Sequence, residues 1–167
     1  VRRKCHKTKT GHAGTLDPLA TGVLVLGVGK MTKKLGQMMD TDKRYTTVID
    51  LSATTRGHDA EGEREEVEVA RIPTREKVDD AVATFSGEIM QAPPIFSAVK
   101  VDGHRAYASA RMGKDVKIEP RKATVHAIEV LKYEWPIVTI EVACAKGFYV
   151  RALARDLGKA LGTGGYC

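Results

Sequence analysis

The sequence predicts an α+β fold with a mixed, largely antiparallel sheet and flanking helices. Strand-like and helix-like segments follow one another along the chain without a regular βαβ alternation. Several strand-like segments place alternate side chains on opposite faces, which is typical of β-strands. A chain of 167 residues is also long enough to bury a two-layer core, so we expect residues 1–167 to form a single domain.

The first half of the chain predicts two strands, a helix and a hairpin. Residues 22–28 are a short apolar, β-branched run that predicts a buried strand, and residues 31–39 space their apolar side chains as a helix does. Residues 43–52 alternate and predict a second strand. Turn residues at 59–62 lead into residues 63–70, which alternate charged and apolar side chains, so we expect an exposed return strand that completes a hairpin.

The second half contains a capped helix, a proline break and a final run of regular elements. Thr74 is placed to cap a helix whose apolar stripe runs from Val78 to Phe85, and Pro93-Pro94 interrupts regular structure. Periodicity and turn residues then predict a strand over 95–101, a turn at 102–103, a small helix over 107–111, strands over 123–133 and 137–145, and a helix over 150–161 that Gly162 ends.

The charge balance is compatible with a polyanionic partner. Lys and Arg outnumber Asp and Glu by 27 to 21, and the first ten residues contain Arg2, Arg3, Lys4, Lys7 and Lys9. Nucleic acid fits this excess, although many soluble basic proteins bind none. The sequence has no secretory start and no apolar run of the length that a membrane span needs. We therefore expect a soluble, cytoplasmic protein that does not associate with membranes.

Two kinds of site are excluded by spacing. Cys5, Cys144 and Cys167 are odd in number and far apart, and Cys5-His6 has no further ligand at a metal-binding spacing, so we expect neither disulfides nor a metal. The Gly-Lys pair at 29–30 resembles the end of a phosphate loop. That motif would need Gly at position 24 and Ser or Thr at 31, where this chain has Leu and Met, so nucleotide hydrolysis is not expected.

Asp17 is a candidate catalytic carboxylate. Gly11, Gly14 and Pro18 lie around it, and their backbone preferences suit a tight, rigid loop that presents a short acid. On spacing alone, an ordinary aspartate turn before a strand explains the same residues and is the favoured interpretation.

A longer match changes that balance. Residues 11–24, Gly-His-Ala-Gly-Thr-Leu-Asp-Pro-Leu-Ala-Thr-Gly-Val-Leu, resemble the catalytic motif of the TruB family of pseudouridine synthases almost letter for letter. The similarity continues in register through residues 42–45, 93–100, 146–151 and 156–158, and so covers nearly the whole chain. The resemblance implies the pseudouridine synthase catalytic fold and an isomerase that needs no cofactor.

The resemblance implies catalytic roles for three residues. Asp17 is the nucleophile that attacks the target uridine, at the ribose or at the base, and Arg151 is the cation that holds and orients it. Tyr45 stacks on the flipped base. Without the resemblance, an exposed residue at a helix start is the favoured interpretation of Arg151, and an aromatic core residue remains compatible with Tyr45.

Four further residues match substrate-binding positions of the family. Tyr149 corresponds to a second aromatic of the pocket, and His12 to a histidine that contacts RNA beside the flipped nucleotide. Lys43 and Lys100 are expected to contact phosphates, which adds affinity without sequence preference. We expect a cleft on one face of the sheet to hold Asp17, Tyr45, Tyr149 and Arg151.

The implied activity is isomerisation of uridine 55 in the T-loop of tRNA, by a monomer that recognises the T-arm. His12 favours a stand-alone enzyme over a guide-dependent subunit, and a non-catalytic RNA-binding or RNA-folding module is a further alternative. The chain departs from the family in lacking an upstream Lys-Pro-x-Gly segment, a downstream Leu-Arg-rich segment and the C-terminal RNA-binding extension, so we expect a catalytic domain truncated at both ends. Phe96 stands where the family commonly has Tyr.

Overall fold

A computed structural model describes residues 1–97, 99–101, 104–106 and 118–167. The chain divides into two compact units, Val1–Asp42 and Lys43–Cys167. That residues 1–167 form a single domain stays a prediction. The turn predicted at 102–103 and the small helix predicted over 107–111 lie outside the described residues.

The unit Val1–Asp42 is built on a short β-ribbon. Strands β1 (Thr10–His12) and β2 (Leu26–Val28) pair antiparallel, with Gly11 opposite Gly27. A Cβ on Gly11 would lie 2.9 Å from Leu35 Cδ1, and one on Gly27 would lie 3.0 Å from the same side chain. The two glycines therefore leave the space in which Leu35 is buried.

The strand and helix predictions for this unit are confirmed only in part. A 3-10 helix, Gly29–Lys34, runs into the short helix α1 (Leu35–Met39), as the helical spacing predicted. The predicted buried strand over 22–28 is wrong in extent and in burial, because only its last three residues are paired and Val23 is 89% exposed. The partner β1 is three residues long, so little of the apolar run finds strand neighbours.

A four-stranded antiparallel sheet forms the centre of the unit Lys43–Cys167, and it confirms the predicted fold class. Its order is β3 (Lys43–Asp50), β10 (Ile137–Cys144), β9 (Arg121–Glu134) and β6 (Gly87–Gln91). The strands predicted over 43–52, 123–133 and 137–145 are three of these four. Alternate residues of β10 are fully buried, as the two-residue period requires.

The predicted hairpin exists with a different partner. Strand β5 (Arg64–Glu66) pairs with β4 (Ala53–Thr55), whereas β3 pairs along its length with β10. The prediction that residues 63–70 return against 43–52 is therefore wrong. Alternation revealed the strands but not which strand occupies the edge of β3. A further two-stranded ribbon joins β7 (Lys100–Val101) and β8 (His104–Arg105). The strand predicted over 95–101 is therefore wrong in extent, because residues 95–97 form a bend and only Lys100–Val101 are paired.

Two helices cover the buried face of this sheet. In α2 (Arg75–Ala83) the Thr74 hydroxyl caps the helix by accepting from the Lys77 amide, and in α3 (Val150–Leu161) Gly162 ends the helix at φ 69°. Both ends agree with prediction. The core between helices and sheet includes Ile49, Val78, Val82, Val125, Val138, Ile140, Val142, Leu153 and Leu157. No helix in the described part of the chain is long and apolar enough to cross a membrane.

The segment after α3 packs so closely against the backbone of α3 and β4 that its contact positions have room only for glycine. A Cβ on Gly164 would lie 2.2 Å from the Ala53 carbonyl oxygen, and a Cβ on Gly165 would lie 2.1 Å from the Ala154 carbonyl oxygen. A Cβ on Gly158, within α3, would lie 2.2 Å from the Gly164 carbonyl oxygen. Backbone thus packs directly on backbone between α3 and β4, which only glycine permits.

Candidate active site

Asp17 lies on the loop that joins β1 and β2. The residue is exposed, and its carbonyl oxygen accepts a hydrogen bond from the Ala20 amide at 2.9 Å, which closes a turn with Pro18 at its second position. Earlier in the loop, Nδ1 of the exposed His12 hydrogen-bonds the Gly14 carbonyl, and Gly14 has a φ of 117° that favours glycine. Asp17 therefore stands on a structured turn, as its neighbours predicted.

Arg151 lies in the first turn of α3, and acceptors from two other segments of the described chain hold it. Its Nη1 donates to the Gly57 carbonyl at 3.2 Å and to Asp59 Oδ2 at 3.3 Å, and its Nη2 donates to the Phe96 carbonyl at 3.1 Å. The Arg151 side chain is only 11% exposed and that of Asp59 19%. A largely buried guanidinium with a carboxylate and two carbonyls around it has a fixed position and a fixed charge.

The Asp59 carboxylate is placed by the turn that follows β4. The His58 amide donates to the Thr55 carbonyl at 3.1 Å, and the Thr55 hydroxyl donates to the Asp59 carbonyl at 2.7 Å. Asp59 Oδ1 accepts from the Glu61 amide at 3.2 Å, which leaves Oδ2 for Arg151. His58 has a φ of 57°, so the turn contains a left-handed residue directly before the carboxylate.

Tyr149 immediately precedes α3, and its backbone is held by a side chain from β6. Its amide donates to Gln91 Oε1 at 2.8 Å, and its carbonyl accepts from Gln91 Nε2 at 3.1 Å. Its ring packs against the small cluster of Val99, Ala106 and Ile118. Burial raises the pKa of the Tyr149 hydroxyl, while the charge of nearby arginines lowers it by less, so the phenol is neutral at pH 7.

The two predicted site residues of β3 lie at its start. Tyr45 pairs with Val142, is half-buried and packs against the core on the face that also carries Thr47. Lys43 pairs with Cys144 at the end of β10. Lys100 is the first residue of β7.

Tyr149 and Arg151 both contact the segment that spans residues 91–96. Gln91 bonds the backbone of Tyr149, and the Phe96 carbonyl accepts from Arg151. Arg151 also pairs with Asp59. Of the seven predicted site residues, His12 and Asp17 belong to the unit Val1–Asp42, and Lys43, Tyr45, Lys100, Tyr149 and Arg151 belong to the unit Lys43–Cys167.

Sequence reasoning missed Asp59, Gln91 and Arg155. Arg155 lies one helical turn after Arg151; its Nη2 donates to the Ala92 carbonyl at 3.0 Å, and its guanidinium pairs with Asp156. The sequence predicts a turn at Asp59 and a break in regular structure at Pro93-Pro94, two residues after Gln91. Neither pattern indicates which distant residue the polar side chain contacts.

His58 is a partly buried titratable group beside these residues. Its Nδ1 has no hydrogen-bond partner among the residues that the structure describes. Burial lowers the pKa of the His58 imidazole, and the positive charges of Arg155, Lys159 and Arg151 lower it further, against an opposing effect of Asp156. The ring is therefore neutral at pH 7.

Cys5, Cys144 and Cys167 form no disulfide in the structure. Within residues 1–97, 99–101, 104–106 and 118–167, no three His, Cys, Asp or Glu side chains are grouped to hold a metal ion. That the protein uses neither metal nor cofactor stays a prediction.

Comparison with known proteins decides the family. A family model described as TruB family pseudouridylate synthase (N terminal domain) matches residues 2–150. The chain belongs to this family. Among relatives, a tRNA pseudouridine synthase B of Bacteroides fragilis is 47% identical over 165 residues, which cover 99% of this chain and 71% of that protein. One of Parabacteroides distasonis is 45% identical, covering 98% of this chain and 69% of that protein.

Solved structures agree with this membership. A chain in the crystal structure of a Cbf5-Nop10-Gar1 complex is 28% identical with a TM-score of 0.71, covering 99% of this chain and 40% of that chain. A chain in an H/ACA RNP bound to a substrate RNA containing 2′-deoxyuridine is 25% identical with a TM-score of 0.67, covering 99% and 38%. The predicted family, fold and enzyme class, an isomerase of the pseudouridine synthase type, are confirmed.

Proposed function

We propose that this chain is the catalytic part of a tRNA pseudouridine synthase that isomerises uridine 55 in the T-loop. Its relatives at 45–47% identity are named tRNA pseudouridine synthase B, and nearly all of this chain aligns with them. The motif around Asp17 and the polar environment of Arg151 supply the chemistry that such a reaction needs.

The reaction exchanges one bond for another within a single nucleotide. The bond between N1 of uracil and C1′ of ribose breaks, a bond between C5 and C1′ forms, C5 loses its proton and N1 gains one. Asp17 is the nucleophile, attacking the ribose or the base, and a carboxylate suits this role because it can add and then leave again. No atom is gained or lost overall, and in this proposal the protein side chains carry the reaction without a cofactor.

The fixed guanidinium of Arg151 is the observation that carries the proposal. Arg151 is largely buried, and Asp59 and two backbone carbonyls hold its guanidinium in one position. Burying a cation is costly unless it is paired, and these acceptors offset that cost, so the guanidinium has a fixed place from which it can orient an anionic nucleophile. We assign Arg151 to that role toward Asp17.

The remaining predicted residues have substrate roles in this proposal. Tyr45 stacks on the flipped uracil, and stacking returns about 1–3 kcal/mol of the energy that unstacking costs. Tyr149 forms part of the same pocket, with a neutral hydroxyl. His12 contacts RNA beside the flipped nucleotide, while Lys43 and Lys100 contact phosphates.

Two alternatives make different predictions. A non-catalytic RNA-folding module would not need Asp17, and a guide-dependent subunit would be inactive on naked tRNA. The solved neighbours at 25–28% identity come from complexes, whereas relatives at 45–47% identity are named as a single synthase. This difference favours an enzyme that works without a guide RNA. We further propose that it is a cytoplasmic monomer.

The decisive experiment is tritium release from an unmodified tRNA transcript labelled at C5 of uridine, because isomerisation removes the C5 proton. We expect release without a guide RNA and a loss of more than about 1000-fold in Asp17→Asn. Asp40→Asn is the matched control, since it makes the same change at another exposed aspartate of the same unit and should retain activity. Release by Asp17→Asn would contradict the assignment, and release only with added RNA would favour the guide-dependent alternative.

A further inference from the structure

We propose that Gln91 is a positioning residue for this reaction, because its buried carboxamide fixes the backbone of Tyr149 and thereby the directions of the Tyr149 and Arg151 side chains. The inference rests on the proposed function, in which both side chains belong to the pocket. Gln91 is the last residue of the edge strand β6 and pairs with Arg121 of β9.

The two hydrogen bonds use both ends of one carboxamide. Gln91 Oε1 accepts from the Tyr149 amide at 2.8 Å, and Nε2 donates to the Tyr149 carbonyl at 3.1 Å. Gln91 is only 3% exposed, so water does not compete for these groups. A planar carboxamide that bonds both the amide and the carbonyl of one residue fixes the position and the orientation of that residue's backbone.

The start of α3 needs an external partner at this point. Tyr149 occupies the capping position with extended backbone, φ −119° and ψ 112°, and makes no capping hydrogen bond with its own side chain. Its amide precedes the helix and has no acceptor within it. Gln91 supplies that acceptor, and its Nε2 shares the Tyr149 carbonyl with the Leu153 amide.

The segment that follows Gln91 contacts the same helix twice more. The Ala92 carbonyl accepts from Arg155 and the Phe96 carbonyl accepts from Arg151. These two arginines are four residues apart and so lie on one helical face. Gln91 is the point at which this segment leaves β6, so loss of its two bonds would let the segment and the start of α3 shift relative to each other.

A purely structural role would also explain a buried glutamine, so the test must separate geometry from stability. Gln91→Leu removes both hydrogen bonds at similar volume. We expect kcat to fall about 10- to 100-fold, the penalty for misplacing reacting groups by about 1 Å, while KM changes less than about threefold. Val82→Ala is the matched control, because it opens the core beneath α2 and lowers the melting temperature without touching Tyr149.

Gln91→Glu provides a second measurement that does not depend on how well the leucine variant folds. A neutral carboxyl can accept from the Tyr149 amide and donate to its carbonyl, as the amide does, but an ionised carboxylate can only accept. Burial raises the pKa of this carboxyl, whereas the positive charges of Arg121, Arg151 and Arg155 lower it, so the carboxyl should be ionised at about pH 8. At that pH we expect the kcat of Gln91→Glu to lie below that of wild type, because an ionised carboxylate cannot donate to the Tyr149 carbonyl.

The results distinguish the two proposals. If wild type releases no tritium, the proposed function fails, whatever the variants do. If wild type is active, retained kcat in folded Gln91→Leu, or equal kcat of Gln91→Glu and wild type at pH 8, would overturn the positioning role. A loss of kcat at unchanged KM in Gln91→Leu, a lowered kcat of Gln91→Glu at pH 8, and normal kcat in Val82→Ala would establish it.

Discussion

The two compact units divide charge and packing between them. Val1–Asp42 contains eight Lys and Arg against three Asp and carries +5 of the net charge of +6, although it is a quarter of the chain. Its one large buried side chain is Leu35, and Leu19, Val23 and Met39 are exposed. Lys43–Cys167 is almost neutral and contains the hydrophobic core.

The difference shows what each kind of site residue requires. Arg151 and Tyr149 are held by the polar groups of a tightly packed unit, so their positions depend on many contacts far apart in the chain. Asp17 stands on a short turn that its neighbouring residues specify. Substitutions in the unit Lys43–Cys167 should therefore change the free energy of unfolding, or change kcat by moving site residues. Substitutions in the unit Val1–Asp42 should change the reacting groups themselves or the charge that attracts RNA.

The largest effect should come from filling the backbone contact at Gly164. In Gly164→Ala the new Cβ would lie 2.2 Å from the Ala53 carbonyl oxygen, so we expect a loss of more than about 4 kcal/mol in the free energy of unfolding. Gly36→Ala in α1 has no atom within 4 Å of the new Cβ and should be neutral or slightly stabilising. Urea denaturation measures both, and similar losses for the two variants would remove the contrast in packing.

The next effect concerns the partner of Arg151. Asp59→Asn keeps an acceptor for the Glu61 amide but removes the charge beside the buried guanidinium, so we expect kcat to fall about 10- to 100-fold. Asp79→Asn breaks an exposed ion pair with Arg75 in α2 and should change kcat less than twofold. Steady-state tritium release would measure both, and an unchanged kcat in Asp59→Asn would show that this ion pair does not support Arg151.

A smaller effect should come from the basic residues at the start of the chain. A plot of log affinity for tRNA against log salt concentration has a negative slope. In the triple variant Arg2→Gln, Lys4→Gln and Lys7→Gln, we expect the magnitude of this slope to decrease by about 2. A control variant neutralises three exposed lysines of the other unit, Lys77, Lys122 and Lys132. The control should change the slope less, because two of its lysines already pair with glutamates. Equal changes would mean that the charge division has no part in RNA binding.

The smallest effect should be a pH dependence of stability that originates at His58. Its folded-state pKa is lowered, so the unfolded chain takes up the proton first as pH falls below about 6.5, and stability is lost toward acid pH. His58→Asn removes this titration and tolerates the left-handed backbone. We expect wild type to lose stability relative to this variant between pH 7.5 and pH 5, by less than about 1 kcal/mol because solvent screens the partly exposed ring. If the melting temperatures of wild type and His58→Asn changed equally with pH, the neutral state of the partly buried ring would be contradicted.

Periodicity alone predicted the regular elements that have one buried face. Strands β3, β9 and β10 and helices α2 and α3 were predicted near their observed bounds, because alternation or helical spacing records which side chains meet the core. The apolar run at 22–28 failed as a prediction of burial. Apolar composition does not say whether another layer covers a segment, and here most of the run lacks strand neighbours.

By itself the sequence determined the α+β class, the Asp17 turn and, through a long motif match, the family and the residues proposed for catalysis. Local backbone preferences and adjacent residues carry that information. Only the tertiary structure revealed that Asp59 meets Arg151 and that Gln91 meets Tyr149, because these partners lie 92 and 58 residues apart in the chain. Hydrogen bonds across such separations depend on how strands and helices pack, which no local pattern records.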